Sequence, residues 1–479
     1  MPNRIIGNLT KWGSVLPDPC FKEKNMDLTN KKVLVFGSGI SGIAATNLLK
    51  SEGANPIIYD GNDQKNKDEI LAKLNDAKDV KVIVGTLDDE VIDKLDMVIL
   101  SPGVPNDLPI VDKFRRKGIK VWGEIELAYA YGHGKVIAIT GTNGKTTTTA
   151  LTGDILADYF KSVFVVGNIG TPYTGAAAQM RDETWTVAEV SSFQLETIEN
   201  FAPKISAILN IAEDHLNRHH TMEEYIRVKE MITSNQSYSD ITVLNYDDEV
   251  LREFANQLQT KVVFFSSTSM LSEGAYLEDG KIILKTADEE FVIAKIADLK
   301  ILGTHNYENI MAAATMAYYA GVPIERIKKS VLAFKAVEHR IEYVTQKQGV
   351  DYYNDSKGTN PEAALKAVQA MNRPTLLIGG GYDKQADYSG WLRGLGDKVK
   401  YLVLIGQTRE KIEREAHRNG FMNTILADSL EEAVAICAER AIKGDAVLLS
   451  PACASWGQFD NYEQRGEMFK QYVGEIKEA

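Results

Sequence analysis

Three cysteines in 479 residues are too few for a disulfide framework, and Cys20, Cys437 and Cys453 lack the paired spacing of a zinc site. No run reaches the ~18 apolar residues that a membrane-spanning helix needs, and the first residues lack an apolar signal core. Low-complexity tracts and sequence-level repeats are also missing. Basic residues are the minority: 54 Lys and Arg against 66 Asp and Glu leave a net charge of −12. Such a chain is a poor partner for nucleic acid or an anionic membrane surface, although local loops can still hold phosphorylated metabolites. These absences point to a reducing cytoplasm and no membrane insertion; small-molecule partners and a monomer are expected. The remaining composition, 44% hydrophobic and 25% charged, is that of a globular chain. Its length suits about three domains of ~150 residues.

From Lys32 onward, short apolar strands alternate with helical stretches. Val33–Phe36, Pro56–Tyr59, Val80–Val84 and Met97–Leu100 read as strands of a first unit, with a helix over Ile43–Glu52. A second unit follows Gly132-His-Gly134. It has strands at Val136–Ile139, Val163–Val166, Thr186–Val190 and Ala207–Leu209, and a helix over Thr148–Tyr159. Residues 261–300 read as a small β excursion, and Leu302–Phe334 as largely helical. A third unit has strands Asp351–Asn354, Thr375–Ile378, Tyr401–Ile405 and Ala446–Leu449, and ends in a helix over Phe459–Lys470. Residues 1–31 carry no assignable pattern. The expected fold is α/β with three domains, 1–125, 126–336 and 337–479, built on parallel sheets that place ligands at the strands' C-terminal ends.

The most informative segment is Thr140-Gly141-Thr142-Asn143-Gly144-Lys145-Thr146-Thr147. It turns out of a buried strand into a helix. Glycines allow backbone N–H groups to converge on an anion, Lys145 supplies a mobile cation, and the Thr146 hydroxyl can join a Mg²⁺ shell. The segment departs from the P-loop consensus, because Ile139 stands where that pattern has its first glycine. Gly37-x-Gly39-x-x-Gly42 also follows a strand and opens a helix, with Asp60 18 residues beyond Gly42. That arrangement suits a dinucleotide, a UDP-sugar diphosphate, or simply close helix–strand packing. Glu189 and Asn168 lie at strand ends, where each is a ligand or an ordinary salt-bridge or turn residue. Glu213-Asp214-His215 follows another strand, and polar residues there are poor packing and good chemistry. Lys229 sits 14 residues beyond His215 on a predicted helix, where a lone lysine ordinarily faces solvent. In the third unit, Asn354-Asp-Ser-Lys-Gly-Thr-Asn-Pro361, Gly379-Gly-Gly-Tyr-Asp-Lys384 and Leu449-Ser-Pro-Ala-Cys-Ala-Ser-Trp456 each follow a strand, so all three should face one cleft. Asn360 and Pro361 also read as a helix cap. Three successive glycines cost backbone entropy, which favours close approach of a ligand.

Together these segments resemble the Mur ligase family, the ATP-dependent amino-acid ligases of peptidoglycan precursor synthesis. Thr140–Thr147 is similar to that family's ATP loop, which accounts for Ile139. Glu189, His215, Lys229, Gly303-Thr-His-Asn-Tyr-Glu-Asn309, His339-Arg340 and Asp355-Ser-Lys357 match its other signatures in order. Within the family, the third-unit motifs look like those of members that add D-glutamate to UDP-N-acetylmuramoyl-L-alanine.

The resemblance implies roles. Gly39, Ile40, Ser41, Gly103, Asn168 and His215 would hold the UDP-sugar. Gly141, Thr142, Asn143, Gly144, Lys145, Thr146, Thr147, Asn306, Asn309, Arg340 and Asp355 would bind ATP. Thr146, Glu189, His215 and Lys229, the last as a carbamate, would organise two Mg²⁺ ions. Lys145, Glu189, His215 and Lys229 would be the catalytic set. Lys357, Thr359, Lys384, Ser455 and Tyr462 would hold D-glutamate, although many relatives have phenylalanine in place of Tyr462. The third domain is expected to close on the other two during turnover. A nicotinamide dehydrogenase would leave Lys145 idle, and a GTPase lacks its Asn-Lys-x-Asp motif here. Another amino-acid ligase of the folylpolyglutamate type lacks a UDP-binding first domain.

Overall fold

In a computed structural model that describes residues 26–335 and 337–476, three sheets follow one another along the chain. The first comprises β1 (Lys32–Phe36), β2 (Asn55–Asp60), β3 (Lys81–Val84), β4 (Met97–Leu100) and β5 (Lys120–Gly123). All are parallel, in the order β3-β2-β1-β4-β5. The second comprises β6 (Lys135–Thr140), β7 (Val163–Gly167), β8 (Trp185–Glu189), β9 (Ile205–Ile208), β10 (Ile241–Asn245), β11 (Lys261–Ser266), β12 (Gly274–Glu278), β13 (Lys281–Lys285) and β14 (Glu290–Lys295). Its order is β14-β13-β12-β11-β10-β9-β6-β8-β7, antiparallel only across β12, β13 and β14. The third comprises β15 (Glu342–Lys347), β16 (Val350–Asn354), β17 (Thr375–Gly380), β18 (Val399–Ile405), β19 (Thr424–Leu426) and β20 (Ala446–Leu449), in the order β15-β16-β20-β17-β18-β19.

Strands β4, β8, β9, β16, β17 and β20 are buried along their whole length, because helices cover both faces of a parallel sheet. Continuous apolar runs were therefore readable as strands. Short or amphipathic strands at β5, β10, β15 and β19 carry no such run and escaped the sequence reading.

Two helices start earlier than predicted. The helix Ile40–Ser51 takes in Gly42, whose absent Cβ would stand 1.9 Å from the Gly37 carbonyl oxygen, so that glycine serves packing inside the first turn. The helix Lys145–Ala157 begins directly on Gly144, held at φ 83°, although β-branched threonines fill its first turns. Leu302–Phe334 divides at Gly321-Val-Pro323 into the helices Thr304–Tyr319 and Ile324–Ala333. The last helix runs Tyr462–Glu475 and starts later than predicted, because the Asn461 side chain caps it.

The first and middle sheets share one core. Val33, Val35 and Leu48 join Val136, Ala138, Tyr173 and Ala177 in a single apolar cluster. Two buried carboxylates fix the helix Glu124–Tyr131 at this junction. Glu126 accepts hydrogen bonds from the backbone of Glu199, Asn200 and Phe201, and Glu124 from the backbone and hydroxyl of Thr174. No helix among the described residues is long and apolar enough to cross a membrane.

Candidate active site

The loop between β6 and the helix Lys145–Ala157 is shaped by its neighbours. Asn210, just beyond β9, accepts the Asn143 N–H at 2.8 Å and donates to the Asn143 carbonyl at 3.2 Å, while its own carbonyl takes the Thr142 N–H at 2.9 Å. The Thr142 hydroxyl meets Tyr225 Oη at 3.0 Å and the Ala212 carbonyl at 3.1 Å. A Cβ on Gly144 would lie 2.3 Å from Asn309 Oδ1, so this glycine is needed for protein contact as well as for its positive φ. The loop thus presents the first turn of the helix, including Thr146 and Thr147, whose N–H groups lack intrahelical acceptors. Asn309 is itself engaged: it accepts from Thr148 Oγ1 at 3.1 Å and donates to Asn306 Oδ1 at 3.2 Å, and Asn306 donates to the Leu302 carbonyl at 2.7 Å.

Two lysines converge on one carbonyl. Lys145 Nζ donates to the Gly141 oxygen at 2.8 Å and to Thr142 at 2.9 Å, and Lys229 Nζ reaches the same Gly141 oxygen at 2.8 Å. Lys229 is only 1% exposed, contrary to what a lone helical lysine suggests, because the helix Met222–Glu230 turns that face onto the loop. Its ammonium also lies 4.7 Å from the Tyr225 ring centroid. Burial first, and the Lys145 charge second, push its pKa down to about 7 against a weaker pull from Asp214. Burial lowers the Lys145 pKa too, with Glu189 opposing. Glu189 closes β8 at 1% exposure; its Oε1 accepts from Asn168 Nδ2 at 2.9 Å, while Oε2 is buried with no hydrogen-bond partner. His215 has a positive φ of 54° and a half-exposed side chain tilted against Phe193, the ring centroids 4.9 Å apart.

In the first domain, the loops after β1 and β4 lie side by side: a Cβ on Gly37 would stand 2.7 Å from Ser101 Oγ. Gly39 and Gly103 have open space where a side chain would stand, and Ile40 beside them is 79% exposed. Asp60, which a dinucleotide site would aim at a ribose, instead accepts the Ser38 N–H and hydroxyl. Arg218 connects this region to the middle domain, donating to both Glu196 oxygens at 3.2 and 2.6 Å and to the Val104 carbonyl at 3.1 Å.

In the third domain, the three loops predicted to share a cleft do leave the C-terminal ends of the neighbouring strands β16, β20 and β17. Asp355 is buried and accepts from Ser450 Oγ at 2.7 Å and the Ile341 N–H at 3.3 Å. Burial pushes its pKa up to about 7, against Ser450 and Arg340. Lys357 is half-buried, with its ammonium 5.1 Å from the Tyr462 ring centroid. Its pKa is lowered by burial and then by Arg340, and Glu189 of the middle domain lies close enough to oppose this. Thr359 is partly buried beyond it, Ser455 is buried, and Lys384 is exposed. The triple glycine has a different cause from the one expected. A Cβ on Gly380 would meet the Ile405 oxygen at 2.2 Å and one on Gly381 the Ala454 oxygen at 2.4 Å, so neighbouring backbone fills the space reserved for a ligand.

Arg465 escaped the sequence reading. It is fully buried, donating to Ser356 Oγ at 3.0 Å, the Ser356 carbonyl at 2.8 Å and the Cys453 carbonyl at 3.1 Å. It therefore ties two of the three loops to the last helix. An arginine on an amphipathic helix ordinarily faces solvent and gives no signal of this; Asn210, a polar residue directly after a buried strand, does.

Asn143, Gly144 and Thr147 share one cleft of about 480 Å³ with Arg340, Asp355 and Lys357. This two-sided cleft accompanies a matching set of similarities. Profiles for the Mur ligase MurD-like N-terminal domain, the Mur ligase middle domain and the Mur ligase glutamate ligase domain match residues 31–123, 139–317 and 339–453. The UDP-N-acetylmuramoylalanine–D-glutamate ligase of Lachnospira eligens is 54% identical over 451 residues, covering 94% of this chain and 100% of the relative. That of Clostridioides difficile is 45% identical over 453 residues, with the same coverage. The chain belongs to the Mur ligase family. Among solved structures, this Mur ligase shares its fold with MurC of Thermotoga maritima (TM-score 0.57, 17% identity, 93% of this chain and 100% of that one). It also shares it with MurF ligase of the same organism in complex with ADP (TM-score 0.56, 20% identity, 95% and 97%).

Proposed function

We propose that this Mur ligase joins D-glutamate to UDP-N-acetylmuramoyl-L-alanine with conversion of ATP to ADP and phosphate. Residues 1–125 would hold the UDP moiety, 126–336 ATP, and 337–479 D-glutamate. The observation that carries the reading is the cleft that Asn143, Gly144 and Thr147, at the start of the helix Lys145–Ala157, share with Arg340, Asp355 and Lys357. The relatives' shared name supplies the acid and the amino acid.

A carboxylate is a poor acyl donor, so its oxygen first attacks the γ-phosphorus and ADP leaves. The D-glutamate amine then attacks the acyl carbon of the acyl phosphate, loses a proton, and phosphate leaves. Lys145, Arg340 and the first-turn N–H groups of Lys145–Ala157 offset negative charge on the phosphates. D-Glutamate carries two carboxylates. Lys357 and Lys384 match them in charge, and Thr359, Ser455 and the region of Tyr462 supply polar contacts.

Mg²⁺ fits the residues present in one decisive respect: Glu189 Oε2 is a buried anionic oxygen with no protein partner. Thr146, Glu189 and His215 would hold the metal, which would neutralise phosphate charge and orient it. An uncharged amine on Lys229 can add to CO₂, forming an N–C bond and losing a proton. The resulting carbamate would replace one of two adjacent cations by an anion.

Phosphate release from ATP should require UDP-N-acetylmuramoyl-L-alanine together with D-glutamate. Turnover with L-lysine or L-glutamate instead would overturn the reading. For the carbamate, activity should fall in CO₂-depleted buffer and return with bicarbonate; indifference to bicarbonate would remove it.

A further inference from the structure

Trp456 is 54% exposed, a large apolar surface for a soluble chain to leave on a turn. It follows Ser455 directly and pairs edge to face with Tyr382, the ring centroids 5.5 Å apart. Tyr382 is held there by its N–H, which donates to the Ala454 carbonyl at 2.9 Å. The ammonium of Lys384 lies 4.9 Å from the Trp456 ring centroid. Among the described residues Lys384 Nζ makes no hydrogen bond and no ion pair, so the ring is its one specific contact. Lys357, on the facing loop, is held in the same way over Tyr462.

An exposed lysine loses up to ~2 kcal/mol of rotamer freedom when it is fixed. A ring face attracts the ammonium without neutralising it, so the cation stays available for an anion. A carboxylate partner would consume that charge. Two ammonium groups, each steadied by a ring on loops flanking Ser455, are a frame for two carboxylates.

We propose that Trp456 is a positioning residue for the dicarboxylate amino acid, acting by holding Lys384 over its ring in the orientation that receives one carboxylate. The inference rests on the ligase reading above and adds to it a determinant of amino-acid choice. Because more than half of the Trp456 side chain is exposed on a turn, its replacement should leave the fold intact.

The test compares wild type, Trp456→Leu, Trp456→Phe, Lys384→Gln and the Leu/Gln double variant, by steady-state kinetics and by calorimetric titration with D-glutamate. Trp456→Leu should raise the KM for D-glutamate about fivefold, the scale of an exposed cation–π contact. The KM values for ATP and the UDP-sugar should stay within about twofold. Trp456→Phe should recover most of the loss, and Trp456→Leu should add nothing further in the Lys384→Gln background. An unchanged D-glutamate KM, an equal rise for all three substrates, or a full additional loss in the Lys384→Gln background would each overturn the proposal. A wild-type enzyme with no D-glutamate turnover sinks the ligase reading itself. Normal wild-type turnover with an indifferent Trp456→Leu sinks only this inference.

Discussion

A buried amine beside a second cation is an unfavourable arrangement for folding, and Lys229 occupies one. Taking the charge out of water next to Lys145 is what holds its pKa near 7. Lys229→Met keeps the volume and removes the unfavourable charge. It should leave the middle domain folded, at least as stable as wild type by calorimetry at pH 7, and without ligase turnover. Retained turnover would exclude the amine from the chemistry. Asp355 presents the opposite group with the same physics. Its folded pKa of about 7 stands above the ordinary value of 3.8. Below about pH 4 both folded and unfolded chains hold the proton. Between pH 4 and 7 only the unfolded chain releases it, so the contribution to stability is greatest in acid and is lost as pH rises through 7. Asp355→Asn cannot titrate. Measured as unfolding of the third domain, it should gain about 3 kcal/mol on wild type between pH 5 and pH 7.5. Parallel pH profiles for the two proteins would show that this carboxylate ionises as it does in water.

At the scale of elements, the helix Lys145–Ala157 packs closely on the alanine-rich helix Thr304–Tyr319, whose Ala312, Ala313 and Ala314 are fully buried. A chain of side chains, Thr148 to Asn309 to Asn306, joins their buried faces. Asn309→Ala should therefore destabilise the middle domain by about 1–3 kcal/mol, through the unsatisfied Thr148 hydroxyl and Asn306 carbonyl. A raised KM for ATP with unchanged stability would instead assign Asn309 to the nucleotide. This pair of helices also shows what the sequence could and could not reveal. Apolar runs such as Val136–Ile139 and Ala446–Leu449 identify buried strands, and the polar residues after them identify the ligand edge, since only the C-terminal ends of parallel strands collect such loops. The fate of each polar residue depends on a partner distant in sequence. Lys229 lies under a loop 88 residues away, Arg465 reaches a loop 109 residues away, and Glu126 caps backbone 73 residues on. None of these pairings has a local pattern. Glycines mislead for a related reason: Gly380 and Gly381 mark close backbone approach, and pattern alone does not say whether the approaching group is a ligand or another strand.

At the scale of the whole molecule, the first and middle domains share an apolar core and are tied by Arg218 and Glu124, whereas the third domain meets the middle domain across the cleft. Beyond the larger effect of burial, Arg340 lowers the pKa of Lys357 on its own side of the cleft and of Lys145 on the other, so these cations lie near one another across the gap. Glu189 offsets part of this repulsion, and what remains opposes closure. A nucleotide triphosphate reverses the sign of the interaction, so its binding favours the closed arrangement by the difference in affinity between the two states. Closure should therefore be driven by a non-hydrolysable ATP analogue together with Mg²⁺. Donor and acceptor dyes placed on the exposed positions Asn62 and Met422 would report it as a rise in transfer efficiency. The rise should shrink as salt goes from 0.05 to 0.5 M, roughly a threefold shortening of the screening length. In Arg340→Ala, the apo protein should already be more closed, because one member of the repelling set is gone, while the analogue should move it less. An apo variant as open as wild type, with an undiminished response to the analogue, would locate the driving force for closure outside this cluster of charges.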